Sequence, residues 1–309
     1  MNRREFLQAV AASAAAYFPS GIMAGTPPEQ RQLTRVIPTS GERIPAVGMG
    51  TYISFDADRD PARKRRLREV LRIFHAAGGR LIDSSPMYAS AEQVFGELSS
   101  DLNVNPDFFV ATKVWTRGAA AGREQMRTSL RKLGREKIEL MQIHNLLDWR
   151  AHYPTLRRWK SEGRFRYIGV THYTTGAFAE LERVLKAEAF DFVQLPYSVA
   201  TREAERRLLP FCKDRGIGVI VNRPYEGGDL FRMVRGRALP EFARELDCDS
   251  FGQLFLKFLL AHPAVTCVIP ATSKPRHMRD NMGAGLGRLP DRRQRERIAA
   301  LLFSGAQSS

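Results

Sequence analysis

The sequence predicts an α/β fold of the closed (β/α)8 barrel type with an N-terminal β-hairpin cap, and three observations carry that expectation. Eight short apolar runs alternate with amphipathic helical stretches from Arg43 onward, the sign of βα units laid around a parallel sheet. The eight repeats occupy about 240 residues, the span of one barrel domain, and no long low-complexity linker divides them. The three-glycine fingerprint of an open doubly wound sheet is missing, because Gly48-Met49-Gly50-Thr51-Tyr52-Ile53 has no third glycine.

Taken in order, residues 33–44 read as a hairpin with Thr39-Ser40-Gly41-Glu42 as its turn, placed to cap the N-terminal face of the barrel. The strand runs follow as 46–49, 80–83, 108–113, 138–144, 167–170, 192–195, 218–222 and 266–269. Leu67, Val70, Leu71 and Phe74 fall at i, i+3, i+4 and i+7, as do Phe251, Leu254, Phe255 and Phe258, which is helical spacing. Ser250 and Gln253 form a capping-box pattern before the second of these helices. Gly78-Gly79, Gly134, Gly163 and Gly216 stand where helices end and a left-handed residue is wanted.

With 43 % hydrophobic and 26 % charged residues the chain is globular, not disordered. Cys212, Cys248 and Cys267 lack C-x-x-C spacing, and no His or Cys pair has metal-ligand spacing, so neither a disulfide framework nor a metal mechanism is expected. The net charge of +15 suits a nucleic-acid or lipid binder. It comes in pieces, however, at 63–68, 157–166 and 288–297, without interleaved stacking aromatics, and reads as solvated outer helices. A contiguous cationic face would favour the binder instead.

Residues 1–24 contain Arg3-Arg4-Glu5-Phe6-Leu7, an Ala-rich stretch to Phe18 and a small residue at Ala24. This resembles a twin-arginine export signal, followed by a linker at 25–32 and the barrel domain at 33–309. The apolar stretch falls short of the roughly 20 residues a membrane span needs. The expected location is therefore periplasmic or otherwise exported, with the twin-arginine machinery as partner and no stable membrane span.

In a barrel, reactive groups sit at the carboxyl ends of the strands. Strand two ends in Asp83, with Tyr88 in the loop after it; strand three ends in Lys113 and strand four in His144. Pairing with Asp83 offsets the cost of burying Lys113, and the lysine charge favours the Tyr88 phenolate, lowering its pKa. Tyr88 then reads as a general acid and His144 as the group that orients a carbonyl oxygen.

The segments Gly48–Tyr52, Ile82–Glu92, Ala111–Trp115, Gln142–His144 and Ile269–Asn281 resemble the aldo-keto reductase family in order and spacing. The resemblance spans roughly residues 33 to 285 and implies that Asp83, Tyr88, Lys113 and His144 form that family's catalytic tetrad. It further implies hydride transfer from NADP(H), with NAD(H) left open, to a small aldehyde or ketone. By the same likeness Gln194 holds the nicotinamide carboxamide and Tyr197 stacks on the nicotinamide ring. Gly50, Thr51, Thr171, His172, Asn222 and Arg223 complete the cofactor set. Thr272, Ser273, Lys274, His277 and Asn281 open the adenosine phosphate site at a helix start. Tyr52 and Trp115 wall the substrate pocket.

Two departures bear on specificity. Thr171-His172 stands where the family often has Ser-Asn, and Ala271 stands where many NADP-specific members place a basic residue. Lys274, Arg276, His277 and Arg279 are near enough to serve the 2′-phosphate instead. The chain runs only briefly past the helix expected at 291–303, which implies an open, permissive pocket; a monomer is expected. A barrel that binds cofactor as a sensor or subunit, with little turnover, is the alternative.

Overall fold

A computed structural model of the protein describes residues 31–302. The export signal expected at 1–24, the linker up to residue 30 and the tail from residue 303 lie outside the described residues. The chain opens with strands β1 (Thr34–Val36) and β2 (Arg43–Pro45), an antiparallel hairpin with Arg35 opposite Ile44. Eight parallel strands follow: β3 (Met49–Gly50), β4 (Leu81–Asp83), β5 (Phe109–Val114), β6 (Ile138–His144), β7 (Phe165–Thr171), β8 (Phe192–Pro196), β9 (Gly218–Asn222) and β10 (Val265–Val268). Each pairs with its neighbour in sequence. Parallel bridges Val47 to Val268 and Gly50 to Ala271 join the last strand to the first and close the barrel. All eight runs expected from the sequence are strands.

Side chains alternate between two cores, as the two-residue period of a strand demands. Phe109, Leu140, Tyr167, Phe192, Ile220 and Cys267 point into the barrel and pack with Ile37 and Ile44 of the hairpin, which therefore plugs the N-terminal end as expected. The Tyr167 hydroxyl donates to Glu42 Oε2 at 2.6 Å and ties the plug to the barrel wall. The intervening residues, such as Val110, Met141, Val170, Val193 and Val219, face outward to the helices. Gly169 is required inside: a Cβ there would lie 2.8 Å from the Phe192 carbonyl oxygen.

The helical spacings hold. Leu67, Val70, Leu71 and Phe74 of helix Pro61–Ala76, and Leu254, Phe255 and Phe258 of helix Phe251–Leu260, are fully buried, each contributing about 1.5–3 kcal/mol over an exposed position. Gly78, Gly134, Gly163 and Gly216 are left-handed. Gly79 is not among the left-handed residues, and is small for another reason: a Cβ would meet the Phe74 ring at 2.2 Å. The capping box at Ser250 is only half formed. Ser250 Oγ accepts the Gln253 N–H at 3.0 Å, but the Gln253 amide oxygen accepts the Asp249 N–H, one residue before the cap. The basic stretch at 63–68 lies on an outer helix, where Lys64 pairs with Glu97 at 2.7 Å and Arg68 with Asp101 at 3.3 Å on the next helix. Among the described residues, no helix is long and apolar enough to cross a membrane.

Candidate active site

The inward phase of the strands decides what stands in the barrel mouth. Beyond the plug, Asp83, Lys113, Gln142, His144, Thr171, Gln194 and Asn222 all continue the inward series of their strands and gather at the carboxyl ends. Lys113 is fully buried, its Nζ 2.7 Å from Asp83 Oδ2 and 2.7 Å from the Ser84 carbonyl oxygen. The other Asp83 oxygen accepts from Gln194 Nε2 at 2.7 Å and from Gln142 Nε2 at 3.2 Å. A buried carboxylate thus receives an ion pair and two amide donors, the condition under which a buried charge is tolerated.

Tyr88 is presented by a turn. Its N–H donates to the Ser85 carbonyl at 2.9 Å, and its ring stands with its centroid 4.9 Å from Lys113 Nζ and 5.8 Å, edge-on, from the His144 ring. The phenol does not titrate below its ordinary range as the sequence suggested. Burial pushes it up, Lys113 pulls it down, and burial prevails because Asp83 sits beside the lysine and opposes its effect. Lys113 moves upward too: burial lowers it, but the Asp83 carboxylate and the Tyr88 hydroxyl more than offset that. His144 is pushed down to about 2 by burial, with the Lys113 charge and His172 adding to the shift. At neutral pH the site therefore holds a protonated phenol, an ammonium and a neutral imidazole.

Tyr52 and Trp115 stand exposed at the rim, Tyr52 with its ring 5.0 Å from Tyr88 and Trp115 6.3 Å from His144. Gln125 clamps the Trp115 backbone, accepting its N–H at 2.6 Å and donating to its carbonyl at 3.0 Å. Opposite, Gln194 Oε1 accepts from Thr171 Oγ1 at 3.2 Å and Asn222 Nδ2 at 3.4 Å, while Asn222 also donates to the His172 carbonyl at 3.0 Å. The His172 Nδ1 accepts the Thr174 N–H at 3.2 Å, and burial holds its pKa below the ordinary range. Arg223 is exposed at the end of β9, left-handed at φ 51° and paired with Glu226 at 3.6 Å.

A second group sits after β10. Thr272 Oγ1 accepts the Lys274 N–H at 3.1 Å just ahead of helix Pro275–Gly283. Lys274, Arg276 and His277 are exposed there beside the partly exposed Ser273, whereas Arg279 faces Glu69 at 3.5 Å. Gly50 lies on the closure of the barrel, donating to the Pro270 carbonyl at 3.2 Å.

Of the expected cofactor residues, Tyr197 is placed otherwise, and Asn281 and Thr51 make hydrogen bonds within the chain. Tyr197 is fully buried outside the barrel, its ring against Phe258 and His262 and its hydroxyl on Glu205 and, at 2.6 Å, Arg295. The reason is phase: it lies three residues beyond the inward Gln194, an odd offset that turns it to the helices. Asn281 is buried on helix Pro275–Gly283, its Oδ1 accepting from the Tyr225 hydroxyl at 2.8 Å. Thr51 is buried with its hydroxyl on the Asp83 carbonyl at 3.0 Å and Ser84 Oγ at 2.9 Å, so it shapes the loop. Conversely, Gln142 and Ser85 belong to the site and were not singled out. Gln142 is legible in retrospect, two residues before His144 on one strand and hence on the same face. Ser85 Oγ, 2.9 Å from His144 Nδ1, carries no such sequence signal. Among the described residues, no three His, Cys, Asp or Glu side chains gather as a metal site.

Known proteins bear on this arrangement. Residues 46–301 match the family described as Aldo/keto reductase family. The chain is similar to the methylglyoxal reductase YeaE of Escherichia coli (strain K12), 26 % identical over 257 residues that cover 80 % of this chain and 88 % of that protein. It is also similar to the NADH-specific methylglyoxal reductase of the same organism, 29 % identical over 231 residues covering 64 % and 67 % of the two chains. In fold it resembles the holo form of aldo-keto reductase AKR11C1 from Bacillus halodurans, with a TM-score of 0.73, 22 % identity, and 88 % and 96 % of the two chains covered. An aldo/keto reductase from Klebsiella pneumoniae in complex with NADP and acetate superposes with a TM-score of 0.70 at 22 % identity, over 90 % and 98 % of the chains. With a family match over most of its length and four ionisable groups converging in the mouth of a closed (β/α)8 barrel, this chain belongs to the aldo/keto reductase family and is an oxidoreductase of that class.

Proposed function

We propose that the protein is an exported, NADPH-dependent reductase of small aldehydes and ketones in which Tyr88 delivers the proton. The carrying observation is the buried Lys113–Asp83 pair at 2.7 Å beneath the Tyr88 ring. The mouth fits a nicotinamide nucleotide. Among the described residues, Asn222 Oδ1 at the end of β9 is a buried acceptor without a partner, suited to an amide N–H. Lys274 and Arg276 lie exposed at the start of a nine-residue helix, where N–H groups favour a phosphate. When bound, the reduced nicotinamide supplies the hydride.

The chain's own residues do the rest. Because burial keeps the Tyr88 proton in place, the phenol enters the reaction as an acid, able to give its proton to the carbonyl oxygen as charge develops there. Lys113 is held charged by Asp83 and stabilises the phenolate left behind. His144, neutral at every physiological pH, donates a hydrogen bond to the same oxygen without competing for the proton. The exposed aromatic rim of Tyr52 and Trp115 receives the body of the substrate.

Activity of relatives makes a 2-oxoaldehyde the first substrate to offer, together with NADPH or NADH. Carbonyl-dependent oxidation of NADPH supports the reading; absence of turnover with any aldehyde or ketone, despite tight cofactor binding, favours a sensor or subunit. The 2′-phosphate preference rests on Lys274 and Arg276, and predicts at least tenfold tighter binding of NADPH than NADH, about 1.4 kcal/mol. Equal affinities at fixed salt remove it. Export rests on the paired arginines at positions 3 and 4, and loading with cofactor before transport would suit a route that carries folded passengers. Replacing Arg3 and Arg4 by Lys is predicted to retain the protein in the cytoplasm, and unchanged export rejects the signal.

A further inference from the structure

Ser85 touches two groups of the site. Its carbonyl accepts the Tyr88 N–H at 2.9 Å and so closes the turn that presents the phenol. Its hydroxyl oxygen lies 2.9 Å from His144 Nδ1 and accepts the Met87 N–H at 3.2 Å. The side chain is fully buried. We propose that Ser85 is a positioning residue: it donates its hydroxyl proton to His144 Nδ1 and thereby holds the ring as the Nε2–H tautomer, the form able to donate to a carbonyl oxygen.

The hydroxyl's proton count decides the tautomer. A hydroxyl has one proton to give and two lone pairs to offer, and Met87 uses one lone pair. Among the described residues, the hydrogen-bond partners of Ser85 Oγ are Met87 N and His144 Nδ1. An Nδ1–H ring would turn both contacts into donors toward the oxygen, leaving the buried hydroxyl proton without an acceptor, an unmade bond that carries a desolvation penalty. An imidazolium would do the same and would add positive charge beside Lys113. Only the neutral Nε2–H ring satisfies every group. The opposite tautomer would also turn a lone pair toward the substrate oxygen, so the hydroxyl selects the productive ring. The nitrogen that carries the proton is set by the bond its partner nitrogen makes. One residue in the Ser85–Tyr88 turn therefore fixes both the proton donor and the polarising group, although they arise from different strands.

The consequence for turnover rests on the carbonyl-reduction reading; the tautomer itself is readable in the free protein. Protein labelled with 15N-histidine, with His144→Asn to assign the signal, is predicted to show His144 unprotonated at Nδ1 and protonated at Nε2. Ser85→Ala should give a mixture of tautomers and lower kcat about 10- to 100-fold, in line with other groups that orient a histidine. Cofactor affinity should stay within about threefold. Ser85→Thr, which restores the hydroxyl, should recover both the spectrum and kcat. A wild-type ring protonated at Nδ1 overturns the proposal, as does Ser85→Ala with an unchanged ring and kcat within about threefold of the parent. If Ser85→Ala fails to fold, the wild-type spectrum and the Thr variant decide. An Nε2–H ring in a protein that reduces no carbonyl would leave the hold of Ser85 on the ring intact and defeat the functional reading instead.

Discussion

Lys113 is a demanding residue, an ammonium with no solvent contact whose place depends on one carboxylate and one carbonyl. Removing a single partner of such a pair leaves the other charge buried and uncompensated, which costs about 3–5 kcal/mol. Lys113→Met should lower stability by that amount in urea unfolding and abolish measurable reduction, since the Tyr88 phenolate loses the charge that favours it. A variant as stable as the parent would show that Asp83 needs no cation beside its two amide donors. Asp83, Tyr88, Lys113 and His144 were legible in the sequence because each falls at or just after the end of an apolar run. The direction of the Tyr88 shift was not, because it is a contest between burial and a neighbouring charge, and burial is a property of the fold. Tyr197 misled for a related reason: its motif neighbourhood is right, but strand phase sends the ring outward.

Between elements, the site depends on loop contacts that no local pattern announces. Gln125 lies in helix Ala119–Leu133 and pairs with both backbone groups of Trp115 ten residues earlier, fixing the rim residue that stands beside His144. Gln125→Ala should raise KM for a carbonyl substrate several-fold while kcat and cofactor affinity change little, because the loop loses its hold but Tyr88 and the ion pair stay in place. A fall in kcat with unchanged KM would mean that the loop shapes the chemistry and not the pocket. The strands and helix faces themselves were readable, since periods of two and 3.6 survive in any packed barrel. The half-formed cap at Ser250 was not, because Gln253 is drawn to Asp249 and, at 3.0 Å, to Asp280 on helix Pro275–Gly283, a tertiary partner.

For the whole molecule, closure by the Val47–Val268 and Gly50–Ala271 bridges and the hairpin plug make one core from eight repeats. That fold carries one buried and one half-buried histidine with a definite pH signature. His144 and His262 are pushed by burial from 6.5 down to about 2 and about 4 respectively. Below pH 6.5 the unfolded chain takes up protons that these folded sites refuse, so stability should fall as pH drops from about 7 to 5, before most carboxylates titrate. Urea midpoints at the two pH values check this, and a flat or rising stability toward pH 5 would contradict it. His262→Gln should flatten part of the slope.

Everything proposed for this site turns on the Tyr88 proton. The direct measurement is single-turnover reduction of a 2-oxoaldehyde by NADPH-loaded protein, comparing the parent with Tyr88→Phe and measuring NADPH affinity alongside. Loss of a positioned acid should slow the reaction about 10²- to 10⁴-fold with affinity held within about threefold, because the ring stays and only the hydroxyl goes. A rate within about threefold of the parent would contradict the account.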